Sequence, residues 1–440
     1  MKREEAMAHS IAEQVAAAGG RAYYVGGCVR DRLLKRETVD VDLEIHGIPE
    51  ETLLHILDGL GERTSMGRSF GVFGLKHVDL DIAMPRKADS RETVDPWIGT
   101  TEAARRRDLT INAMLQDVLT GELLDPFGGM EDLRRGVLRH VDPDTFREDP
   151  LRVFRTARFS ARFGFAVTEE TVSLCRTVEV SGLARERVFE ELRKALRDSP
   201  RPSVFFAVLR QMECLQDWFP EVAALIGIPQ DPVHHPEGDV WNHTMAVLDA
   251  AAALQDRAEQ PTALMLAALC HDFGKVTATQ VEGDRIHALG HEEAGLVPAA
   301  DFLKRLTGET ALHGYVQNML LLHMRPNLLA AQGAKAKALC TMFDRSVCPA
   351  DLLLLARADH FGKLGASPYE DTERFLREAL ALFRDRMAQP HVTGADLLQA
   401  GCAPGPQMGA ALAFAHKLRL AGVSKETALK QTLSWLRQQI

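Results

Sequence analysis

The periodicity of this chain changes once and does not change back. Up to about residue 135, short β-like runs at 22–25, 39–45, 70–76 and 78–83 are interleaved with helical segments, one of them at 50–60. From Asp149 the apolar residues recur at helical spacing. Leu151, Phe154, Ala157, Phe159 and Ala161 fill one broad face, and arginines interleave on the other. The breaks that follow punctuate helices: Gly164-Phe165, Ser199-Pro200 with Pro202, the Pro/His/Asp-rich stretch 228–239, and Ala403-Pro404-Gly405-Pro406. The fold class expected is α+β, a small mixed sheet with helices in the first part and an all-helical remainder. A chain of 440 residues exceeds one ordinary core. Four parts are expected: a mixed head at 1–135, a helical neck at 136–215, a histidine-dense helical domain at 216–360, and a helical tail at 361–440.

Within the head, Val39-Asp40-Val41-Asp42 follows the turn Gly26-Gly27-Cys28-Val29-Arg30-Asp31 at short distance. A strand would hold Asp40 and Asp42 on one face and Val39, Val41 and Leu43 on the other. Two carboxylates so held bind hard divalent cations, usually Mg2+, which completes its shell with water and substrate phosphate. The glycine pair lets backbone N–H groups approach a polyphosphate closely. An aspartate pair alone is also what a solvated edge strand presents. Joined to the glycine turn and Arg30, it marks a site of nucleotidyl transfer. Two-metal phosphoryl chemistry calls for a third carboxylate. Val78-Asp79-Leu80-Asp81-Ile82-Ala83 supplies it on a neighbouring strand, at Asp81 or, alternatively, Asp79. Arg30 and Arg86 are candidates to neutralise non-bridging oxygens, where a guanidinium fork fits.

Composition narrows the partners. The 46% hydrophobic and 26% charged content is that of a soluble globular protein, and no uninterrupted apolar run could span a bilayer. Seven scattered cysteines, with no C-x-x-C pair, read as reduced thiols in a bacterial-type cytoplasm. No segment resembles a signal peptide. The formal charge of -9 argues weakly against a general nucleic-acid binder. Charge distribution matters more than the sum, and Arg105-Arg106-Arg107, Arg134-Arg135, Arg147, Arg152, Arg155, Arg158 and Arg162 cluster.

Three further blocks follow in order: Arg106-Arg107-Asp108-Leu109-Thr110-Ile111-Asn112-Ala113, Asp125-Pro126-Phe127-Gly128-Gly129, and Glu148-Asp149-Pro150-Leu151-Arg152-Val153-Phe154-Arg155. Glu186-Arg187-Val188-Phe189-Glu190-Glu191 extends the series. With G-G-x-V-R-D and D-x-D before them, these blocks resemble the tRNA nucleotidyltransferase/poly(A) polymerase family of the DNA-polymerase-β superfamily, in its bacterial-type class II branch. The resemblance covers roughly the first half of the chain and implies a polymerase-β-like head. It implies that Asp40 and Asp42 hold Mg2+, with Asp81 as the third acidic residue. It implies that Gly27, Arg30, Arg107, Arg152 and Arg155 contact the incoming nucleotide, and that Asp149 and Arg152 read its Watson–Crick edge. The chemistry agrees: a carboxylate accepts from the exocyclic amine shared by cytosine and adenine, where uracil and guanine present a carbonyl. The sequence departs from the family at Lys35, where glycine is frequent, and in Leu43-Glu44-Ile45-His46-Gly47 after the D-x-D. The segment 61–68 is a candidate for the loop that the family uses to switch from CTP to ATP.

In the helical half, His243, the pair His271-Asp272 and Asp359 follow the order H…HD…D, with His287, His291 and His323 between. Histidine with carboxylate suits transition metals such as Ni2+, Mn2+ or Co2+ better than Mg2+. A lone histidine on an apolar helix is usually a core residue; five with an HD pair are a metal site. The region resembles an HD phosphohydrolase domain. His235-Pro236-Glu237-Gly238-Asp239 resembles the version carried by one bacterial group of CCA-adding enzymes, associated with 2′,3′-cyclic phosphodiesterase and phosphatase activities.

The function expected is therefore template-independent addition of CMP, CMP and AMP to tRNA from CTP and ATP, with a phosphohydrolase activity in the HD half. The alternatives are CC-adding, A-adding or poly(A) activity alone, an HD phosphohydrolase whose head serves as an RNA platform, and a non-catalytic RNA-binding protein. The oligomeric state is left open.

Overall fold

The computed structural model describes residues 3–36, 40–65, 72–86, 94–283 and 285–438. Its contacts divide it into two compact units, residues 1–191 with 204–214, and residues 192–203 with 215–440.

The first unit is built on a sheet of seven strands, β1 (Arg21–Val25), β2 (Val41–His46), β3 (Arg63–Ser65), β4 (Val72–Leu75), β5 (Val78–Ala83), β6 (Leu115–Asp117) and β7 (Leu123–Leu124). They lie in the order β3-β4-β5-β2-β1-β6-β7. Only β2 and β5 run parallel among these neighbours, with Val41 opposite Leu80, Asp42 opposite Asp81 and Leu43 opposite Ile82. Parallel strands need a long crossover. Here it is α3 (Glu50–Leu60) followed by β3 and β4.

The period of two sorts the side chains by face. Val41, Leu43, Ile45, Leu80 and Ile82 join one core with Ala8, Ile11, Ala12 and Val15 of α1 (Arg3–Ala17) and with Leu53 and Leu57 of α3. Asp42, Glu44 and His46 consequently share the opposite face of β2. Truncating a fully buried residue such as Leu43 to Ala would cost about 2–5 kcal/mol and would loosen the strand that aims Asp42. Tyr23 and Val25 of β1 belong to a separate small cluster with Ala104, Ala113 and Leu115.

The helix Leu151–Phe163 ends where expected, at Gly164, whose left-handed backbone (φ 72°) closes the last turn onto Ser160. The helix Glu50–Leu60 covers the segment whose spacing predicts it, and Arg185–Asp198 forms a further helix that ends at the Ser199-Pro200 break. The strand of the D-x-D begins at Val41, so Asp40 lies just before it, exposed, and Val39 lies outside the described residues. Of the stretch proposed as a switching loop, residues 63–65 form β3 and residues 66–68 fall outside the described set. The short strands β6 and β7 and the hairpin Gln280–Glu282/Arg285–His287 have no apolar run to announce them, and sequence reading passes over them.

The second unit is helical apart from that hairpin. Helices Val240–Ala252, Pro261–Cys270, Thr310–Leu322 and Pro349–Phe361 carry continuous apolar surfaces and enclose the histidine-dense region. Proline opens two of them at the position where a missing N–H costs nothing. Asp239 caps the first by accepting from the Asn242 N–H. Helices Pro406–Leu420 and Lys425–Arg437 pair through Ala411, Ala415 and Ala428, with Phe414 stacked on Trp435 at 5.1 Å. No helix among the described residues is long and apolar enough to cross a membrane.

Candidate functional sites

Direct register places Asp42 and Asp81 side by side on one face of the parallel pair. Burial is the main cause of a raised Asp42 pKa, opposed by the Arg107 guanidinium and reinforced by the negative charges of Asp81 and Asp40. Burial also raises Asp81, with Asp79 and Asp40 adding their charge. Four carboxylates therefore sense one another at the end of β2 and β5, and a divalent cation would relieve that repulsion. The donor set is all oxygen and fits a hard ion.

Gly26 faces this group with a left-handed backbone (φ 67°). A Cβ there would stand 3.1 Å from Arg107 Nη1 and 3.5 Å from Asp42 Oδ2, so the backbone conformation favours glycine and a side chain would press on the tip of Arg107. Gly27 opens α2 (Gly27–Leu33) and packs against the Arg30 guanidinium. Arg107 Nη2 donates to Glu44 Oε2 at 2.9 Å. Glu44 Oε1 contacts His46 Nε2 at 2.9 Å, and His46 Nδ1 lies 3.2 Å from the Ile98 carbonyl. Burial opposes the ionisation of Glu44, but the His46 hydrogen bond and the Arg107 charge outweigh it and leave its pKa below the ordinary value. Glu44 is thus the residue that aims Arg107. Its signal was the continued alternation Asp42-Leu43-Glu44-Ile45-His46, which family resemblance marks only as a departure.

Arg30 is buried, 3% exposed, with two of its donors engaged. Its Nε bonds Asp31 at 2.8 Å, its Nη1 bonds Asn112 Oδ1 at 2.5 Å, and Phe159 and Phe163 lie under the guanidinium. Here it ties α2 to the R-R-D-L-T-I-N-A block and to helix Leu151–Phe163. Asp108 of that block accepts from the Leu109 N–H, from Asn112 and from Arg155 Nε, at 2.8, 3.0 and 2.7 Å. Burial resists its ionisation, but these donors win and hold its pKa far below the ordinary range. Arg152 donates to the carbonyls of Thr145 and Arg106. Asp149 accepts from the Leu151 N–H and, through both oxygens, from Arg187 Nη2 at 3.1 and 2.8 Å. Arg187 lies in the Glu186–Glu191 block, and only folding shows it as the partner of Asp149. The carboxylate of Asp125 caps helix Gly129–Arg135 through the N–H groups of Gly129 and Met130, so the D-P-F-G-G block is a brace.

In the second unit six of the seven expected ligands converge, all buried: His243, His271, Asp272, His291, His323 and Asp359. His243 Nε2 lies 3.1 Å from Asp359 Oδ1 and 3.7 Å from Asp272 Oδ2, and His271 Nε2 lies 3.2 Å from Asp272 Oδ2. On the other side of Asp272, its Oδ1 lies 3.4 Å from His291 Nε2 and 3.9 Å from His323 Nε2. Asp272 is shared by two groups that could each hold a metal ion, His243/His271/Asp272 and Asp272/His291/His323.

Each ring is oriented from behind. The Nδ1 atoms of His271, His291 and His323 face the carbonyls of Ala268, Ala288 and Leu320 at 2.8, 2.8 and 2.7 Å. With Nδ1 donating, the Nε2 lone pairs point inward, as metal ligation requires. His271 Nε2 is buried without a hydrogen-bond partner, and so is Asp272 Oδ2, although Lys275 Nζ stands 2.7 Å from it without hydrogen-bond alignment. Buried polar atoms without partners, gathered among imidazole and carboxylate donors, fit a transition-metal ion. Burial opposes charge on Asp272, but His271, Lys275 and His243 keep it well below the carboxylate range. Desolvation, with His271 adjacent, pushes His323 down to about 4. Gly274 permits the assembly: a Cβ would stand 2.5 Å from the Gly295 nitrogen, blocking the approach of the segment that carries His291.

His287 stands apart. It lies half-buried on the hairpin, with Nε2 3.9 Å from the Glu282 carboxylate, and joins none of the ligand groups found among the described residues. A local pattern cannot distinguish it from His291, because its place on the hairpin depends on strand pairing. Conversely, Glu237 was not singled out. Its Oε1 reaches His243 Nδ1 and His235 Nδ1, both at 2.8 Å, and these three form another possible ligand group.

In-register aspartates on a mixed sheet, followed by a buried histidine–aspartate cluster in a helical unit, define a nucleotidyltransferase-type head joined to an HD-type centre. Residues 22–139 match the poly(A) polymerase head domain, and residues 240–364 match the HD domain. The multifunctional CCA protein of Stenotrophomonas maltophilia is 36% identical over 420 residues, covering 91% of this chain and 99% of the relative. That of Chromobacterium violaceum is 43% identical over 300 residues, 64% of this chain and 69% of the relative. The chain belongs to the multifunctional CCA protein family. Its fold is that of the Bacillus stearothermophilus CCA-adding enzyme, solved in complex with CTP, with TM-score 0.71 at 22% identity over 100% of this chain and 99% of that one. The Thermotoga maritima CCA-adding enzyme, solved with tRNA, gives 0.66 at 19% identity over 98% and 95%.

Proposed function

We propose that this protein adds CMP, CMP and AMP from CTP and ATP to the 3′ end of tRNA without a nucleic-acid template, releasing pyrophosphate. The observation that carries the reading is the register of Asp42 beside Asp81, with Arg107 held against them by Glu44. Asp40 and Asp42 would hold Mg2+, with Asp81 completing the acidic set. The ion supplies activation of the attacking hydroxyl and charge neutralisation on the triphosphate. Arg107 directs its remaining donors at phosphate oxygens. Asp149, fixed by Arg187, retains acceptor capacity for the exocyclic amine of cytosine or adenine, since an ionised carboxylate offers about four lone-pair sites. Arg152 donates to the neighbouring ring atoms. Arg30 and Arg155 act from behind, locking helix Leu151–Phe163 onto the R-R-D-L-T-I-N-A block. Residues 1–135 are assigned to catalysis, 136–215 to nucleotide and tRNA recognition, 216–360 to phosphohydrolysis and 361–440 to gripping tRNA, which is recognised by shape and phosphate.

The buried orphan atoms of His271 and Asp272 support a second activity, metal-dependent hydrolysis of phosphate esters such as 2′,3′-cyclic phosphates. His243, His271, Asp272, Asp359, His291 and His323 would hold a transition metal such as Ni2+, Mn2+ or Co2+, which supplies Lewis acidity and an activated water. Lys275 compensates the charge of Asp272.

The test is incorporation of labelled CTP and ATP, with Mg2+, onto tRNA transcripts lacking CCA, CA or only A. Stepwise addition stopping at CCA is expected, and Asp42→Ala is expected to abolish it. Stopping at CC, adding only the terminal A, or running on into poly(A) would each replace the reading with another activity of the same chemistry.

A further inference from the structure

The second unit contains a cavity of about 600 Å³ lined by none of the clustered histidines, lying between helices Pro349–Phe361 and Glu370–Ala388 and the turn Gln255–Arg257. Its inner wall is apolar, with Leu353, Leu354, Leu376 and Leu380. Four arginines line it as well: Arg257, Arg357, Arg377 and Arg384.

One carboxylate serves three of them. Glu373 pairs with Arg377 at 2.7 Å, with Arg257 at 3.3 Å and with Arg357. Arg384 finds only a distant partner, Glu259 at 3.6 Å. The Arg357 Nε is buried and has no hydrogen-bond partner. Three guanidiniums around a single carboxylate leave an uncompensated positive charge at the mouth of an apolar chamber. A surface ion pair does not require that arrangement. Five donors per guanidinium far exceed what one carboxylate can accept.

We propose that this cavity is a binding site for a small organic anion, a phosphate or phosphonate monoester-like group carried on an apolar or aromatic body. The volume is that of a small-molecule pocket, about 300–1,000 Å³. The leucines would cover the body and the arginine fork would take the head group bidentately. The extended backbone of an RNA is the other polyanion in reach, but it would not fill a leucine-lined chamber. Glu373 acts as an internal stand-in for the ligand, holding the arginines in place and competing with it. The cavity shares helix Pro349–Phe361 with the candidate ligand Asp359, and Tyr369 lines it while bonding Asn327 Oδ1 at 2.7 Å. This proposal does not depend on the nucleotidyltransferase reading.

The internal competitor gives a test that a merely structural cluster fails. The probe is 1-naphthylphosphonate, which resists hydrolysis, titrated into the full chain by calorimetry. One site is expected, weakened about tenfold or more, one charge-assisted contact's worth, by Arg357→Gln and by the cavity-filling Leu353→Trp. Glu373→Gln is expected to tighten binding while lowering the melting temperature, an opposite pair of effects that simple damage does not produce. Asp42→Ala and His271→Ala are expected to leave the affinity unchanged. Weakening by either of those two would move the ligand to a catalytic site and overturn the proposal. So would unchanged or weaker binding in Glu373→Gln. If tRNA displaces the probe and Arg357→Gln weakens tRNA by the same factor, the cavity is a phosphate contact for RNA and the small-anion assignment is wrong.

Discussion

Glu44 offers the sharpest test of how the head is organised, because an isosteric change removes only its charge. In Glu44→Gln the contact to Arg107 Nη2, 2.9 Å in the native chain, passes from an ion-paired hydrogen bond to one between the guanidinium and a neutral amide oxygen. The pair is partly buried, and losing its charge–charge component removes roughly 1–2 kcal/mol of restraint on the guanidinium. Arg107 and Asp42 both crowd Gly26, so a guanidinium freed from Glu44 no longer meets the phosphates in one orientation. If that restraint is spent on the transition state, kcat/KM for CTP incorporation falls about 5–30-fold. The melting temperature should fall by about 2–8 °C at about 2–4 °C per kcal/mol. Primer extension under single-turnover conditions measures the first quantity. The cyclic phosphodiesterase activity proposed for the second unit serves as a control for folding and should not change. Because Glu44 is argued to work through Arg107, the double variant Glu44→Gln/Arg107→Gln should be no slower than Arg107→Gln alone. Additive losses would refute the argument, as would a Glu44→Gln enzyme with native kinetics.

Other residues give independent outcomes. Asp81→Asn should reduce nucleotide incorporation by at least about a hundredfold, the scale lost with one preorganised electrostatic group, while sparing phosphodiesterase activity. Arg187→Ala removes the donor that holds both oxygens of Asp149, so discrimination of CTP against UTP should weaken more than overall turnover, as competition assays would show. Glu237→Gln weakens the support of His243 Nδ1, and titration followed by elemental analysis should find metal affinity lowered about 10–100-fold. Asp108 has a folded pKa well below its unfolded value near 4, so its stabilisation is complete above about pH 4 and is lost as pH falls toward the folded value. Asp108→Asn should therefore be less stable at neutral pH and should lose less stability on acidification. Urea melts across pH 3–7 would show a constant difference if the reading fails.

How much of this was legible follows from what each signal encodes. Strand period assigns a side chain to a face, and it separated Asp42 from Leu43 and Asp81 from Ile82 without error. It does not encode register. That Asp42 meets Asp81 and not Asp79 depends on where β5 pairs with β2 after the long α3–β3–β4 crossover. The same limit hid the partner of Asp149, which sits 38 residues away on another helix. Charge alone also leaves out what the fold does with Arg30. A glycine turn followed by arginine reads as a phosphate clamp, and the structure adds contacts of that guanidinium to Asp31, Asn112 and two phenylalanines. The histidines were easier. Helix ends recur in sequence as His271-Asp272 and His323, and each places a ring Nδ1 over its own i−3 carbonyl, a local geometry that needs no long-range contact. His287 joins no ligand group among the described residues, and its place is set by the pairing of a hairpin, which is register again. The residues that local geometry decides were readable one by one. Those decided by pairing across the fold, as the contacts of Glu44 with Arg107 and of Arg187 with Asp149 are, need the structure.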